Sequence, residues 1–250
     1  MNGAHWIITD TFNKNSTDTS DMADSEKKAK ANCRIKVTKN GPYLVEGSIP
    51  LSEKIIVADS EGTATAWQEG KPLPQKESYL LCRCGQSNTK PFCDGAHEKV
   101  NFNGEETATY EPCLKRAKEF DGPTLKLSDV VDLCASARFC HRAGGIWKLV
   151  PESANPDSKK IALEEACDCP SGRLVLYDKE KGEVKEPNCE KTVAIIEDPQ
   201  IGGGGPIRVL GGVPVESAEG KNYEIRNRVT LCRCGKSKNK PFCDSSHYPE

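Results

Sequence analysis

A seventeen-residue stretch that occurs twice constrains this chain most. LCRCGQSNTKPFCDGAH fills residues 81–97 and LCRCGKSKNKPFCDSSH fills residues 231–247, with twelve of the seventeen positions identical. Each copy spaces three cysteines and one histidine as C-x-C-x8-C-x3-H. Thiolates and imidazoles are the ligands of zinc and of iron–sulfur clusters. The chain is therefore predicted to build two similar metal sites.

The candidate ligands follow directly from the spacing. They are Cys82, Cys84, Cys93 and His97 in the first copy, and Cys232, Cys234, Cys243 and His247 in the second. Zinc fingers usually space their cysteines as C-x2–4-C around one tetrahedral ion. Here C-x-C and C-x3-H form two separate pairs, which suits two iron atoms bridged by sulfide and favours a [2Fe–2S] cluster over zinc.

Composition limits the compartment and the partners. The chain has 13 cysteines, and its start lacks a basic segment followed by an apolar one, so we expect reduced thiols in an intracellular, cytoplasmic protein. No apolar run approaches the ~18 residues of a membrane span. The net charge of −2 provides no basic field for nucleic acid.

The repeat extends beyond the metal loops. Residues 41–50 align with residues 205–214, and a strand-like run leads into the first cysteine of each copy. The pattern around residues 35–45 predicts a hairpin. These features predict a β-rich unit at residues 32–110 and a second at 191–250. We expect a disordered tail at residues 1–31, a short strand within residues 98–110 and a separate cysteine-rich region at 111–190.

The repeated motif resembles the signature of the CDGSH (NEET) iron–sulfur family. The matching residues are Cys82, Cys84, Ser87, Pro91, Cys93, Asp94, Gly95, Ala96 and His97, and in the second copy Cys232, Cys234, Ser237, Pro241, Cys243, Asp244, Ser246 and His247. The resemblance implies a [2Fe–2S] cluster held by three cysteines and one histidine, in a small β-rich fold whose units pack in pairs. Two units in one chain would supply that pair as an internal pseudo-dimer in a monomer.

The second copy departs from the family pattern at one position. Ser245 stands where the family has glycine. If that position needs a positive φ, serine costs on the order of 1 kcal/mol. The second site is therefore expected to differ from the first in stability.

The other motif residues have predicted roles. Asp94 and Asp244 are expected to accept hydrogen bonds from backbone N–H groups in the turn that carries the Cys–His pair. A ligating histidine must be unprotonated, so we predict that acid releases both clusters. Changing His97 and His247 to Cys should suppress this release, and unchanged acid lability in that double variant would contradict the prediction.

The middle region carries a second cysteine pattern. Cys134 and Cys140 are spaced C-x5-C, and Cys167 and Cys169 precede Pro-Ser-Gly-Arg-Leu. This pattern resembles divergent single-cluster ferredoxins, which implies a third iron–sulfur cluster on some of these four cysteines, with His141 as a substitute ligand. The alternatives are buried free cysteines or a zinc site. We expect an α+β insert here, with helices after Ser128 and over residues 159–168.

These features predict a mainly β iron–sulfur protein that acts in electron transfer or cluster transfer. A redox carrier is favoured over an enzyme, because the sequence shows no nucleophile elbow, paired carboxylates or nucleotide fingerprint. Its partner would be a redox protein or an apo-acceptor of the cluster. The alternatives are a zinc-stabilised interaction module and an electron-carrying subunit of an oxidoreductase.

Overall fold

The computed structural model describes residues 33–249. The tail predicted at residues 1–31 lies outside them. The strands are β1 (Arg34–Val37), β2 (Tyr43–Glu46), β3 (Leu51–Ala58), β4 (Ala64–Pro72), β5 (Ser78–Leu81), β6 (Lys118–Asp121), β7 (Leu125–Asp129), β8 (Leu174–Asp178), β9 (Glu183–Lys185), β10 (Thr192–Glu197), β11 (Ile207–Leu210), β12 (Val215–Glu216) and β13 (Arg228–Leu231). The α-helices are α1 (Ala96–Lys99), α2 (Ile146–Leu149) and α3 (Pro156–Asp168).

The two units exchange strands. One sheet has the order β12-β1-β2-β5, and another has the order β13-β11-β10-β3-β4. In the first, Ile35 of β1 pairs in parallel with Val215 of β12, and in the second, Val193 of β10 pairs in parallel with Leu51 of β3. The three strands of the first unit are thus extended by β12 of the second, and the three strands of the second unit by the β3–β4 hairpin of the first. This reciprocal exchange holds the two units together within one chain.

One hydrophobic core serves both units. Alternate residues of β1 and β2 point inward, and Ile35, Val37, Tyr43 and Val45 are fully buried. They share a cluster with residues of β10, β11 and β13 from the second unit. Because neither half could bury its inward face alone, the repeat folds as one body rather than as two independent modules.

The middle region forms its own sheet and core. The sheet has the order β6-β7-β8-β9, all antiparallel. Leu125 and Leu127 of β7 pack with Ala162 and Ala166 of α3. The predicted second helix is confirmed as α3, and it begins at the N-cap Asn155, whose side chain accepts from two backbone N–H groups.

Two sequence-based expectations about secondary structure are wrong. Ser128 does not cap a helix. It lies in β7, and its hydroxyl donates to Glu119. Residues 102–110 form no strand; instead the Thr107 and Ala108 N–H groups both donate to the carbonyl oxygen of Lys240 in the second unit. In both places a tertiary contact overrides the local pattern. The predicted fold class, mainly β with helices in the middle region, is confirmed.

Candidate metal centres

Each repeated loop begins where a strand ends and then folds back on it. Cys82 follows β5 directly, and its N–H donates to the Pro91 carbonyl oxygen at 2.8 Å. The Cys93 N–H donates to the Leu80 carbonyl oxygen at 3.0 Å, and Leu81 bridges to Phe92. These bonds place Cys93 against the end of β5, close to Cys82. The second loop, after β13, repeats them through Cys232 and Cys243.

The candidate ligands of the first loop stand in two close pairs. The sulfur atoms of Cys82 and Cys84 are 3.7 Å apart, and the Cys93 sulfur lies 3.4 Å from Nδ1 of His97. Two sulfurs bound to one tetrahedral metal at about 2.3 Å would stand about 3.8 Å apart, and a sulfur and an imidazole nitrogen about 3.6 Å. Each pair therefore has the spacing to chelate one tetrahedral metal atom, and Nδ1 is the histidine nitrogen that faces it.

The second loop reproduces this geometry. The sulfur atoms of Cys232 and Cys234 are 3.7 Å apart, and the Cys243 sulfur lies 3.4 Å from Nδ1 of His247. Across residues 33–249, no three Cys, His, Asp or Glu side chains are grouped closely enough to hold a single metal ion. The pairs match the two irons of a [2Fe–2S] cluster, so the residues present fit that group.

Backbone N–H groups point at one sulfur of each C-x-C pair. The Gln86 N–H donates to Cys84 Sγ at 3.5 Å, and the Lys236 N–H donates to Cys234 Sγ at 3.4 Å. Such bonds stabilise a thiolate and raise the potential of a cluster that it ligates. The hydrogen bond from Cys232 also lowers the pKa of Cys234 to about 6.

The middle region brings together part of the predicted ligand set. A cavity of about 220 Å³ is lined by Cys134, Cys140, His141 and Cys169, among others. Burial raises the pKa of Cys140 to about 12, and the nearby Cys169 and Cys134 add to the shift. The Ser136 N–H donates to Cys134 Sγ at 3.5 Å. Three thiols and an imidazole around one cavity fit a small iron–sulfur cluster.

Cys167 is placed differently from the other three cysteines. It is not among the residues that line this cavity. It lies near Arg228, Glu186 and Cys189, and burial raises the pKa of its thiol. The geometry thus puts His141 at the cavity, where the sequence offered it only as a substitute.

Family models match all three regions. Residues 40–98 and 204–248 match the model described as iron-binding zinc finger CDGSH type, and residues 120–179 match a divergent 4Fe-4S mono-cluster. The chain thus carries two CDGSH-type regions, and these support an iron–sulfur protein. The divergent mono-cluster region lies between its two CDGSH units. No curated protein and no solved structure matches the chain.

The aspartates of the two CDGSH motifs organise their turns as predicted. Asp94 accepts from the N–H groups of Asn88 and Ala96, at 2.8 and 3.0 Å, and these bonds hold its pKa below the usual range. Asp244 accepts from the N–H groups of Lys238 and Ser246, at 2.7 and 3.1 Å. Each carboxylate ties the middle of the loop to the Cys–His turn.

The arginine within each C-R-C run was not predicted to matter. Arg83 is 1% exposed, and its guanidinium donates to the carbonyl oxygens of Thr38 and Gly104. Arg233 likewise donates to the carbonyl oxygens of Gly205 and Ile196. Each arginine anchors its CDGSH loop to the surrounding backbone. The sequence did contain a signal for this role, because both copies have arginine at the same position.

The two CDGSH sites differ in burial. Cys243 is 3% exposed, whereas Cys93 is partly exposed. The second site is covered by the middle region, and burial lowers the pKa of His247. The side chain of His97 keeps 16% of its surface exposed.

No helix within residues 33–249 has the length and apolar character needed to cross a membrane.

Proposed function

We propose that this tandem CDGSH protein is an electron carrier with three iron–sulfur sites rather than an enzyme. Cys82, Cys84, Cys93 and His97 would hold one [2Fe–2S] cluster, and Cys232, Cys234, Cys243 and His247 a second. The middle cavity would hold a third cluster on Cys134, Cys140 and Cys169, with His141 or Cys167 completing the set. The clusters supply one-electron chemistry when bound, and the chain's residues hold and tune them.

The observation that carries this proposal is the pairing of ligands at both repeats. Sulfur–sulfur and sulfur–nitrogen spacings of 3.7 and 3.4 Å recur in each CDGSH loop. A neutral imidazole in place of one thiolate makes the site less negative. The reduction potential of the cluster should therefore be higher than in an all-cysteine site. The backbone of Gly85 also lies against that of Cys234, and this contact between the two loops supports electron exchange within the chain.

Iron and acid-labile sulfide counting on anaerobically purified full-length chain tests the proposal. Two [2Fe–2S] clusters give roughly four irons per chain, and a [4Fe–4S] cluster in the middle region brings the total to roughly eight. The protein should be red-brown and bleach with dithionite. A colourless protein with stoichiometric zinc and no sulfide would overturn the proposal in favour of a zinc-stabilised module.

Cluster transfer is the second candidate, favoured by the partial exposure of His97 and Cys93. A ligand at the surface can be displaced by an incoming acceptor. Incubation with an apo-ferredoxin distinguishes the two roles. Electron transfer alone leaves the iron with this chain, whereas cluster transfer moves iron and sulfide together to the acceptor.

A further inference from the structure

The middle cavity and the second CDGSH site share a wall. Tyr248, which directly follows the candidate ligand His247, lines the middle cavity together with Cys134 and Cys169. The Cys134 thiol lies close enough to Cys243 to contribute to its raised pKa, of which burial is the main cause. The C-terminal turn of the second unit therefore faces both sites.

Ser245 joins the two sites by a hydrogen bond. Its hydroxyl donates to the backbone carbonyl oxygen of Cys134 at 2.8 Å. Ser245 has φ +74°, a conformation that costs a serine on the order of 1 kcal/mol relative to glycine. The equivalent residue of the first unit, Gly95, has φ +82°, and a Cβ placed there would meet nothing within 4 Å. The two CDGSH turns thus share a backbone shape, and Ser245 links its turn to the middle site.

Other contacts hold the same part of the middle region against the second unit. Arg138 makes a paired ion bridge to Asp198, at 2.6 and 2.9 Å, and its guanidinium lies over the ring of Tyr248. The Asn239 side chain donates to the carbonyl oxygen of Asp132 at 3.0 Å. These contacts hold the loop that carries Cys134 against the second unit, through Asn239 of the loop 232–247 and through Asp198 and Tyr248 outside it.

The first unit contacts the middle region through a different element. Arg138 and Arg142 donate to the carbonyl oxygens of Gly62 and Ala64, in and beside the turn between β3 and β4. Phe139 stacks on Trp67 of β4 at 4.5 Å. These contacts come from the β3–β4 hairpin and not from the loop 82–97.

We propose that the second CDGSH site is the direct redox neighbour of the middle site, and that the Ser245–Cys134 contact couples the two. This inference rests on the proposed electron-carrier function. One electron leaves the reduced middle site, which is oxidised by one, and enters the oxidised second CDGSH site, which is reduced by one. An external one-electron donor, dithionite in the experiment below, reduces the middle site again. A hydrogen bond provides a shorter path for electron transfer than a gap between two surfaces.

Electron paramagnetic resonance of the dithionite-reduced full-length chain tests which site is the neighbour. In the wild type, the middle-site signal should be split or broadened by the second CDGSH spin. The splitting should remain in Cys93→Ala, which disables the first site, and disappear in Cys243→Ala, which disables the second. Splitting that persists in Cys243→Ala, or that disappears only in Cys93→Ala, would overturn the inference.

A second pair of variants, which keeps all the candidate ligands, tests the hydrogen bond between Ser245 and Cys134. Ser245→Gly keeps a residue that accepts positive φ but removes the hydroxyl, and Gly95→Ser places a hydroxyl at the equivalent turn of the first unit. Freeze-quench spectra after mixing with substoichiometric dithionite should show severalfold slower filling of the second site in Ser245→Gly and no change in Gly95→Ser. Equal rates in Ser245→Gly and wild type would refute the role of the contact.

The iron count separates this inference from the proposed function. A chain without iron and sulfide refutes the proposed function itself. A chain with all sites loaded but with an unsplit middle-site signal refutes only the coupling.

Discussion

Gly85 lies directly against the carbonyl oxygen of Cys234, so that a Cβ placed on Gly85 would stand 2.6 Å from that oxygen. Gly235 has the reciprocal relation to the carbonyl oxygen of Cys84, also at 2.6 Å. At these two glycines the CDGSH loops therefore meet through backbone atoms. Both glycines have positive φ, at +77° and +78°. Space and conformation each require glycine at these two positions.

Alanine at either position should destabilise the chain through the opposite loop. Gly85→Ala and Gly235→Ala should each lower the free energy of unfolding by about 2–4 kcal/mol, because a clash adds to the cost of positive φ. Gly62→Ala is the matched control, since Gly62 has φ +84° and open space around its Cβ position. It should cost only ~1 kcal/mol. Urea unfolding followed by circular dichroism measures all three, and equal costs would show that the loops yield without strain.

Tyr43 of the first unit supports the second CDGSH loop. Its buried hydroxyl lies 2.8 Å from the carbonyl oxygen of Cys232 and 2.9 Å from that of Pro241. Tyr43→Phe should cost about 1–3 kcal/mol, because buried carbonyl groups lose a donor. It should also speed the loss of the second cluster to a chelator, measured by the decay of visible absorbance.

Tyr79→Phe is the control for this prediction. Tyr79 is buried in the adjacent strand β5, and its hydroxyl donates to the Ile49 carbonyl oxygen at 2.9 Å. Its loss should destabilise the chain comparably without a selective effect on the second cluster. If both variants lose the second cluster at the same rate, Tyr43 acts through global stability alone.

Local sequence patterns were sufficient to predict the ligand spacing, the aspartate caps and the mainly β fold. Each of these depends on residues within a short loop or a single strand. The strand exchange could not be predicted in the same way. The paired strands β3 and β10 are more than a hundred residues apart in the sequence, and the alternation of apolar and polar residues does not specify which strand is the partner. The partner of Ser245 was equally hidden. The sequence showed that Ser245 replaces the family's glycine. It did not show the Cys134 carbonyl oxygen, whose hydrogen bond offsets the cost of the positive φ, because Cys134 belongs to a different region.

The middle region shows the same limit. Cysteine spacing placed Cys167 and Cys169 together, yet only Cys169 lines the cavity. Cys167 lies near the end of α3, where Arg228 of β13 donates to the carbonyl oxygens of Cys167 and Cys169. The orientation of neighbouring cysteines is thus set by a residue of the second unit that no local pattern connects to them.

Removing Arg228 should release the middle site. The side chain is fully buried and binds Glu186 at 2.5 Å as well as the carbonyl oxygens around Cys169. Arg228→Met should cost about 1–3 kcal/mol, since the buried carbonyl oxygen of Cys169 loses its donor, while the Glu186 side chain is 30% exposed. Iron content should fall by the share of the middle site while the CDGSH clusters remain.

Arg34→Met provides the comparison for this arginine. Arg34 is half exposed and pairs with Glu46 at 2.7 Å. An exposed pair contributes little to stability because solvent screens it, so iron content should be unchanged. Full iron content in Arg228→Met would show that the cavity keeps its cluster without this anchor.

Glu165 of α3 makes the stability of the chain depend on pH. The residue is fully buried, and neither carboxylate oxygen has a hydrogen-bond partner among the described residues. Burial raises its pKa from 4.5 to about 8, a shift that the nearby Arg142 opposes only in part. Between these two values the folded chain holds a proton that the unfolded chain releases. Stability should therefore fall as pH rises from about 5 to about 8 and level off above that, by up to about 1.4 kcal/mol per pH unit.

Glu165→Gln removes this proton without changing the size of the side chain. Its stability advantage over wild type should be larger at pH 8.5 than at pH 6. Thermal unfolding at both pH values measures the difference. Glu164→Gln is the control, because the neighbouring Glu164 side chain is 51% exposed and should give the same stability difference at both values. An advantage of Glu165→Gln that does not change between pH 6 and pH 8.5 would mean that the Glu165 carboxyl does not bind its proton more tightly in the folded chain than in the unfolded one.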